Sequence, residues 1–284
     1  MKILVTGYTG QLGFDVVREG LEKGFEMVGV GSKDLDITNE IAVEQYVKKV
    51  KPDAIIHCAA YTAVDKAEDD KETCRNVNVS GTKFLVNAAK EMNAKFMYIS
   101  TDYVFDGKGE VPFTEEDTPK PVGYYGQTKN EGEKIVQTSL TEYFIVRISW
   151  VYGMNGNNFV KTMLRLAETR DELNVVGDQV GSPTYTFDLS RLLIDMIQTK
   201  KFGIYHASNE GFCSWAEFAK EIFTLAGKDV RVNSITTAEY PTRAIRPNNS
   251  RMSKQKLVDN GFHPLPKWQD SLKHYLNQLL HEVQ

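Results

Sequence analysis

Gly7-Tyr8-Thr9-Gly10-Gln11-Leu12-Gly13 stands directly between an apolar run, Ile3-Leu4-Val5, and a stretch from Gly10 to Lys23 with Leu12, Val16, Val17 and Leu21 on one helical face. A short apolar run, cut by glycine and followed at once by an amphipathic segment, reads as a buried strand turning into a helix. The spacing is Gly-x-x-Gly-x-x-Gly, not Gly-x-Gly-x-x-Gly, but the physical demand is similar. Glycines allow a tight turn and close approach of the backbone to a ligand, and the helix N-terminus then faces an anion. Gly13 lets helix and strand pack closely. The motif alone is weak; its place after a strand and before a helix is the context a pyrophosphate site needs.

Moving outward, the alternation continues. Met27-Val28-Gly29-Val30 reads as a second strand, followed by a helix through Ile41, Val43, Tyr46, Val47 and Val50 that Thr38 or Asn39 can cap. Ala54 to Ala59 is a third strand. A helix from about Cys74 to Met92 precedes a fourth strand, Phe96 to Ser100, and one from about Gly123 to Thr138 precedes a fifth, Tyr143 to Ile148. Strands that are apolar throughout belong to a parallel sheet covered on both faces. Strand and helix alternating at this spacing predict right-handed βαβ units, hence an α/β, Rossmann-like doubly wound parallel sheet.

After about residue 152 the texture changes: Gly153 to Asn158 is rich in Gly and Asn, and Asp178 to Thr186 mixes Gly, Pro and polar residues. Helices are expected over Asp188–Thr199 and Ser214–Leu225, a short strand over Gly203–His206, and an amphipathic tail from Leu272 to Val283. The expected division is a NAD(P)-binding Rossmann domain over 1–152 and a smaller α+β substrate-binding lobe over 153–284. No flexible linker separates them, so the boundary is soft and single elements are free to cross back.

The chain has 284 residues, 41% hydrophobic and 25% charged, with a formal net charge of -4. That balance has no basic footprint for nucleic acid or an anionic membrane, so any phosphate must be met by a local site. Three cysteines (Cys58, Cys74 and Cys213) in no metal-ligand spacing argue for a reducing compartment and against a disulfide framework. The N-terminus is too polar for a signal-peptide core, and no window approaches 18 uninterrupted apolar residues. These features predict a soluble cytoplasmic protein with no membrane partner.

Folds of this type that prefer NAD place a carboxylate at the end of the second strand. Here that strand ends at Val30-Gly31, followed by Ser32-Lys33. A hydroxyl and a cation there suit a 2′-phosphate, favouring NADPH and leaving NADH open; Lys33 as a plain solvated lysine is the alternative. Asp36-Ile37 is placed to flank the adenine, or to cap the next helix.

The most specific signal is Tyr125-Gly126-Gln127-Thr128-Lys129. Tyr and Lys four apart share a helix face. A cation within about 4–6 Å lowers a phenol's pKa by roughly 1–3 units from about 10, into range for proton transfer. Thr101 lies 24 residues earlier, at the carboxyl end of the fourth strand. Ligands of open α/β sheets bind outside those strand ends, so its hydroxyl is expected to donate to a substrate carbonyl.

The glycine loop, Thr101 and Tyr125-x-x-x-Lys129 together resemble the extended short-chain dehydrogenase/reductase family. Further blocks resemble its dTDP-4-dehydrorhamnose reductase branch: Ala60–Glu68, Ser100–Gly107, Arg147–Tyr152, Asn157–Val160, Asp178–Thr184 and Arg246–Arg251. The resemblance runs from residue 7 to 251, and the later blocks are the more specific. It implies NADPH-dependent reduction of the 4-keto group of dTDP-4-dehydro-β-L-rhamnose to dTDP-L-rhamnose, for cell-surface polysaccharide. Tyr125 would protonate the developing alkoxide, Lys129 would lower the phenol's pKa and hold the nicotinamide ribose, and Thr101 would orient the carbonyl. Thr9, Gln11 and Leu12 in the glycine loop, with Ala59, Ala60, Tyr61 and Thr62, would contact the cofactor. Val64, Asp102, Tyr103, Trp150, Asn158 and Gln179 would line the sugar-nucleotide site, though Trp150 at a strand end suits core packing equally. Arg246 and Arg251 would clamp the diphosphate by bidentate pairing, unless they form surface salt bridges.

Some relatives join subunits through a metal held by glutamates. Only Asp15 looks similar here, while Phe187 and Asp188 supply no clear partner ligand, so no required metal is expected and a homodimer is left open. His57, ending a buried strand, reads as a packed, hydrogen-bonded residue. The same scaffold serves two other functions. A dehydratase or epimerase is weak, since a dehydratase needs a second carboxylate beside the threonine, where Tyr103 follows Asp102. A non-catalytic cofactor-binding subunit, like that of methionine adenosyltransferase, is disfavoured by intact Thr101, Tyr125 and Lys129.

Overall fold

Neighbouring residues in each central strand go to opposite faces, and both faces are dry. Ile3, Val5, Ala54, Ile56, Met97, Ile99, Phe144 and Val146 fall in one buried cluster. Leu4, Ile55, Phe96, Tyr98 and Ile145 fall in another, on the other face. This is why the strands are apolar without alternating. The computed structural model describes residues 1–281.

The first half runs β1 (Lys2–Thr6), α1 (Gln11–Glu22), β2 (Glu26–Val30), α2 (Glu40–Val50), β3 (Ala54–His57), α3 (Val64–Ala67), α4 (Lys71–Arg75), α5 (Thr82–Met92), β4 (Lys95–Thr101), α6 (Tyr124–Ser139) and β5 (Tyr143–Ile148). Asn39 caps α2, accepting from the Ala42 N–H at 3.0 Å. The expected helix from Cys74 to Met92 is one path with a fault in it: Asn76–Gly81 is π-helical, joining α4 to α5. Such segments frequently mark functional sites.

The second half contains β6 (Val151–Tyr152), α7 (Phe159–Leu166), β7 (Glu172–Val176), β8 (Val180–Gly181), β9 (Thr184–Tyr185), α8 (Thr186–Ile197), β10 (Gly203–His206), β11 (Cys213–Ser214), α9 (Trp215–Leu225), β12 (Arg231–Ile235), β13 (Asn249–Ser250), α10 (Gln255–Asp259) and α11 (Trp268–His281). Ser214 caps α9 in a reciprocal box with Glu217. The tail helix starts four residues before the expected Leu272; Val283 lies outside the described residues.

The main sheet has the order β10-β5-β4-β3-β1-β2, every neighbour parallel. Thus β10, from the second half, completes it beside β5. Helix α8 returns too: Leu189, Leu192, Leu193, Ile194, Met196 and Ile197 share the core that holds Leu12, Val16 and Val17 of α1. The rest of the second half has its own aromatic-rich core, with Tyr152, Tyr185, Phe218, Trp268 and Tyr275. Its strands form small sheets, β11-β8-β13, β12-β7 and β6-β9.

Candidate active site

The strand order reverses at β1 and β3, so the chain leaves these neighbours in opposite directions and opens a crevice at their carboxyl ends. A cleft of about 730 Å³ lies there, inside the range of cofactor sites. Gly7 turns the chain with φ +74°, and a Cβ on it would sit 2.6 Å from the Ala59 nitrogen. A Cβ on Gly13 would sit 2.3 Å from the Gly7 carbonyl oxygen. Helix α1 then starts after Gly10 with no side chain capping it, leaving its first N–H groups for a ligand. The cradle is built from backbone that side chains would fill, and it fits a dinucleotide pyrophosphate.

Most of the expected site residues converge on this cleft. Its lining includes Gly7, Thr9, Gly10, Gln11, Leu12, Gly13, Ser32, Asp36, Ile37, Ala59, Ala60, Tyr61 and Thr62, with Val64, Thr101, Asp102, Tyr103, Tyr125, Lys129 and Trp150. Five expected residues do not line it. Lys33 is exposed beyond it. Asn158 caps α7 and donates to the Gln11 side-chain oxygen at 3.1 Å, so it supports the loop from behind. Gln179 donates to Thr237 at 3.1 Å. Arg251 bonds the Asn249 side chain at 3.0 Å. Arg246 pairs with Asp65 at 2.6 Å, with the Tyr103 hydroxyl 3.4 Å away, in a salt bridge at the rim. Asp15 is likewise engaged internally, accepting from Thr186 at 2.5 Å.

Tyr125, Lys129 and Thr101 meet at the inner end of the cleft. Lys129 is buried; its Nζ donates to the Ile99 carbonyl at 2.7 Å and lies 4.0 Å from the Tyr98 ring centre. Burial lowers its pKa to about 7, with Glu133 opposing. Burial also raises the Tyr125 phenol above its ordinary value, while a hydrogen bond shared with the Thr101 hydroxyl works the other way. The phenol thus moves opposite to the expected lowering by Lys129: the ammonium is turned to a carbonyl and a ring, and desolvation dominates. A phenol kept protonated is the form a proton donor needs.

Thr101 gives its proton to Asp102 Oδ1 at 3.0 Å and accepts from the Tyr103 N–H at 3.2 Å. Its hydroxyl must turn from Asp102 before it can donate to a substrate carbonyl. Asp102 also accepts from Ser250 at 2.5 Å, across from the second half of the chain. Burial raises the Asp102 carboxyl to about 6.

Two residues behind the cleft hold its wall: Asn78, which carried no readable signal, and His57, which read as a packed, hydrogen-bonded residue. Asn78, in the π-helical segment, accepts from the Tyr61 N–H at 2.8 Å and donates to the Tyr61 carbonyl at 3.2 Å and to Thr128 at 3.0 Å. It ties the Ala59–Thr62 wall to α6. His57 bridges Thr6 at 2.7 Å and Thr82 at 3.1 Å, and burial lowers its pKa to about 3, so it is a neutral strut beneath the cleft.

A doubly wound parallel sheet, a glycine cradle at its switch point, and a Tyr-x-x-x-Lys pair beside a strand-end threonine define an NAD(P)H-dependent oxidoreductase of the short-chain dehydrogenase/reductase type. Comparison with known proteins narrows the class. Residues 1–281 match the family described as the RmlD substrate binding domain, and the chain belongs to that family. It is 39% identical over 277 residues to the spore coat polysaccharide biosynthesis protein SpsK of Bacillus subtilis, covering 98% of this chain and 97% of that one. Among solved structures it resembles a dTDP-4-dehydrorhamnose reductase from Clostridium acetobutylicum, with TM-score 0.96 and 45% identity over 99% of this chain and 100% of that one. A dTDP-4-dehydrorhamnose reductase from Bacillus anthracis in complex with NADP is also similar, with TM-score 0.95 and 42% identity over 98% and 99%. Among the described residues, no helix is long and apolar enough to cross a membrane.

Proposed function

We propose that this protein reduces the 4-keto group of dTDP-4-dehydro-β-L-rhamnose to dTDP-L-rhamnose with NADPH, in the cytoplasm, as a step in polysaccharide biosynthesis. The observation that carries this is the meeting of Thr101, Tyr125 and Lys129 at the inner end of a cleft whose outer end is the glycine cradle. NADPH, when bound, supplies the hydride. The first-turn N–H groups of α1, at Gln11, Leu12 and Gly13, would hold its pyrophosphate, with Gly7 giving the turn that brings the backbone close, and Ala59, Ala60, Tyr61 and Thr62 would form the facing wall. Lys129 holds the nicotinamide ribose and stabilises the tyrosinate left after proton donation. Tyr125, kept as a phenol by burial, donates its proton to the alkoxide oxygen, and Thr101 orients that oxygen.

Val64, Asp102, Tyr103 and Trp150 face the sugar. The cofactor domain of about 1–152 and the lobe of about 153–284 close on the sugar nucleotide together, with α8 and β10 belonging physically to the former. NADH serves less well than NADPH because Ser32 and Lys33 stand where a carboxylate would hold a 2′-OH. Association into a homodimer is compatible with this site, and no metal takes part in the step.

The experiment is NADPH oxidation by the purified protein in the presence of dTDP-4-dehydrorhamnose. Turnover is expected, with kcat about 10²- to 10⁴-fold lower in Tyr125→Phe and NADPH affinity little changed. No turnover, or full turnover by the phenylalanine variant, overturns the reading.

A further inference from the structure

We propose that Trp215 is a positioning residue for the sugar end of the site, acting through Trp150. The inference rests on the reductase reading above. Trp150 has φ +49°, a left-handed backbone that a bulky side chain rarely adopts. Such conformations persist only where the surroundings over-determine them, and they gather at functional sites. A core aromatic has no need of one. Here the surroundings are visible. Trp150 accepts from the Thr184 N–H at 3.0 Å, and its neighbour Ser149 donates to the Ser182 carbonyl at 2.7 Å and accepts from Thr184 at 2.5 Å.

The indole is fixed as firmly as its backbone. One face stacks on Trp215, ring centres 3.6 Å apart and planes 14° from parallel. Its six-membered ring lies against Gly181, where a Cβ would approach Cε2 to 2.9 Å. Trp215 is held in turn as the first residue of α9, just past the Ser214–Glu217 cap, with Phe159 4.7 Å from it. Trp150 lines the cleft and Trp215 does not. The cap of α9 thus sets Trp215, Trp215 sets the indole of Trp150, and that indole sets the shape offered to the sugar.

The test compares wild type with Trp215→Leu and Trp215→Phe, reading sugar-nucleotide KM, kcat, NADPH affinity and circular dichroism. The chain has three tryptophans, and the stacked pair gives an exciton couplet that a lone Trp268 does not. Trp215→Leu is expected to lose the couplet and raise the sugar-nucleotide KM about tenfold, with kcat and NADPH affinity nearly unchanged. Trp215→Phe, which keeps a ring on Trp150, is expected to lose the couplet yet restore KM to within about threefold of wild type. If Trp215→Leu does not fold, Gly181→Ala presses a methyl group on Cε2 and Cζ2 of the same indole and is expected to raise the same KM. A leucine variant that melts earlier with KM unchanged overturns the proposal. So does a uniform loss of KM, kcat and NADPH binding, or an alanine variant with wild-type KM. Absence of turnover in the wild type overturns the reductase reading itself; normal wild-type turnover with an unmoved KM overturns the positioning role alone.

Discussion

The two walls of the cleft are built by different means. The cofactor wall is backbone and strand ends: a glycine turn, an uncapped helix and the Ala59–Thr62 loop, all within the first half of the chain. The sugar wall is side chains secured across the chain, Asp102 by Ser250 and Trp150 by Trp215, with Asp65 joined to Arg246 at the rim. A wall made of backbone can serve any ligand with a pyrophosphate. A wall made of cross-braced side chains holds one shape, and its determinants lie far from the residues that touch the ligand. The catalytic trio stands where the walls meet, so substitutions should separate into three kinds: loss of chemistry, loss of cofactor, and loss of sugar fit.

The largest effect is expected at the junction. Lys129→Met should lower kcat by about 10²- to 10⁴-fold, since it removes the cation that stabilises the spent tyrosinate. It should also change the stability of the ligand-free protein in a definite direction. The folded pKa of Lys129 is about 7 against 10.5 in the unfolded chain, so the native state binds fewer protons between those values and wild-type stability rises with pH across that window. The methionine variant lacks that contribution and should be the more stable protein at pH 6.5, by an amount that shrinks towards pH 10. Thermal melts at the two pH values check it, and an identical pH slope in both proteins would break the assignment of a desolvated lysine.

Next comes the cofactor wall. Gly13→Ala puts a methyl group 2.3 Å from the Gly7 carbonyl oxygen, and its three nearest contacts are all backbone, so the turn has to shift. Overpacking of this sort costs about 1–3 kcal/mol. NADPH affinity should fall on the order of tenfold to a hundredfold, with sugar-nucleotide binding to the ligand-free protein retained. Titration of each ligand separately tests whether the walls are independent; equal losses of both would mean they are one structure.

The unequal legibility of the walls has the same origin. Strands β1 to β5, the helix after Gly10 and the Tyr125–Lys129 pair were readable because each is local: apolar runs, a 3.6-residue period, glycines at fixed spacing. Lys33, Asn158, Gln179, Arg246 and Arg251 do not line the cleft, and nothing in the sequence states that Asp65 lies beside Arg246 or Thr237 beside Gln179. The second half pairs strands of two residues, β8 with both β11 and β13, which have no period to detect. Asn78 was invisible because its role depends on a π turn that lies inside a good helical pattern. The Tyr125 proton affinity was misjudged because spacing reports that a lysine is near, but burial, which sequence does not report, outweighs it.

A smaller effect probes the sugar wall. Burial raises the Asp102 carboxyl to about 6 from 3.8, so the folded state binds more protons between those values and wild-type stability falls as pH rises through them. Asp102→Asn removes the buried charge and should be more stable at pH 7 by at most about 3 kcal/mol, the gap closing below pH 4. The amide still accepts from Thr101 but more weakly, so the hydroxyl turns to a substrate carbonyl at least as readily and kcat should not fall more than about threefold. A variant less stable than wild type at neutral pH would show instead that the carboxylate braces the two halves, its bond to Ser250 outweighing its desolvation.

The smallest effect concerns which dinucleotide the cofactor wall admits. Gly31 closes the turn after β2 by donating to the Asp34 side chain at 2.9 Å, leaving Ser32 on the cleft and Lys33 exposed beside it. An exposed cation is screened and mobile, and such pairings contribute about 0.2–1 kcal/mol. Lys33→Ala should therefore weaken NADPH binding only about two- to fivefold, and less at high salt, while NADH binding stays constant because it has no 2′-phosphate to lose. A loss shared equally by both dinucleotides would assign Lys33 to the turn and not to the phosphate. A loss far above fivefold would mean that the loop closes over the cofactor and buries the lysine against it, so that even this wall is completed by a side chain.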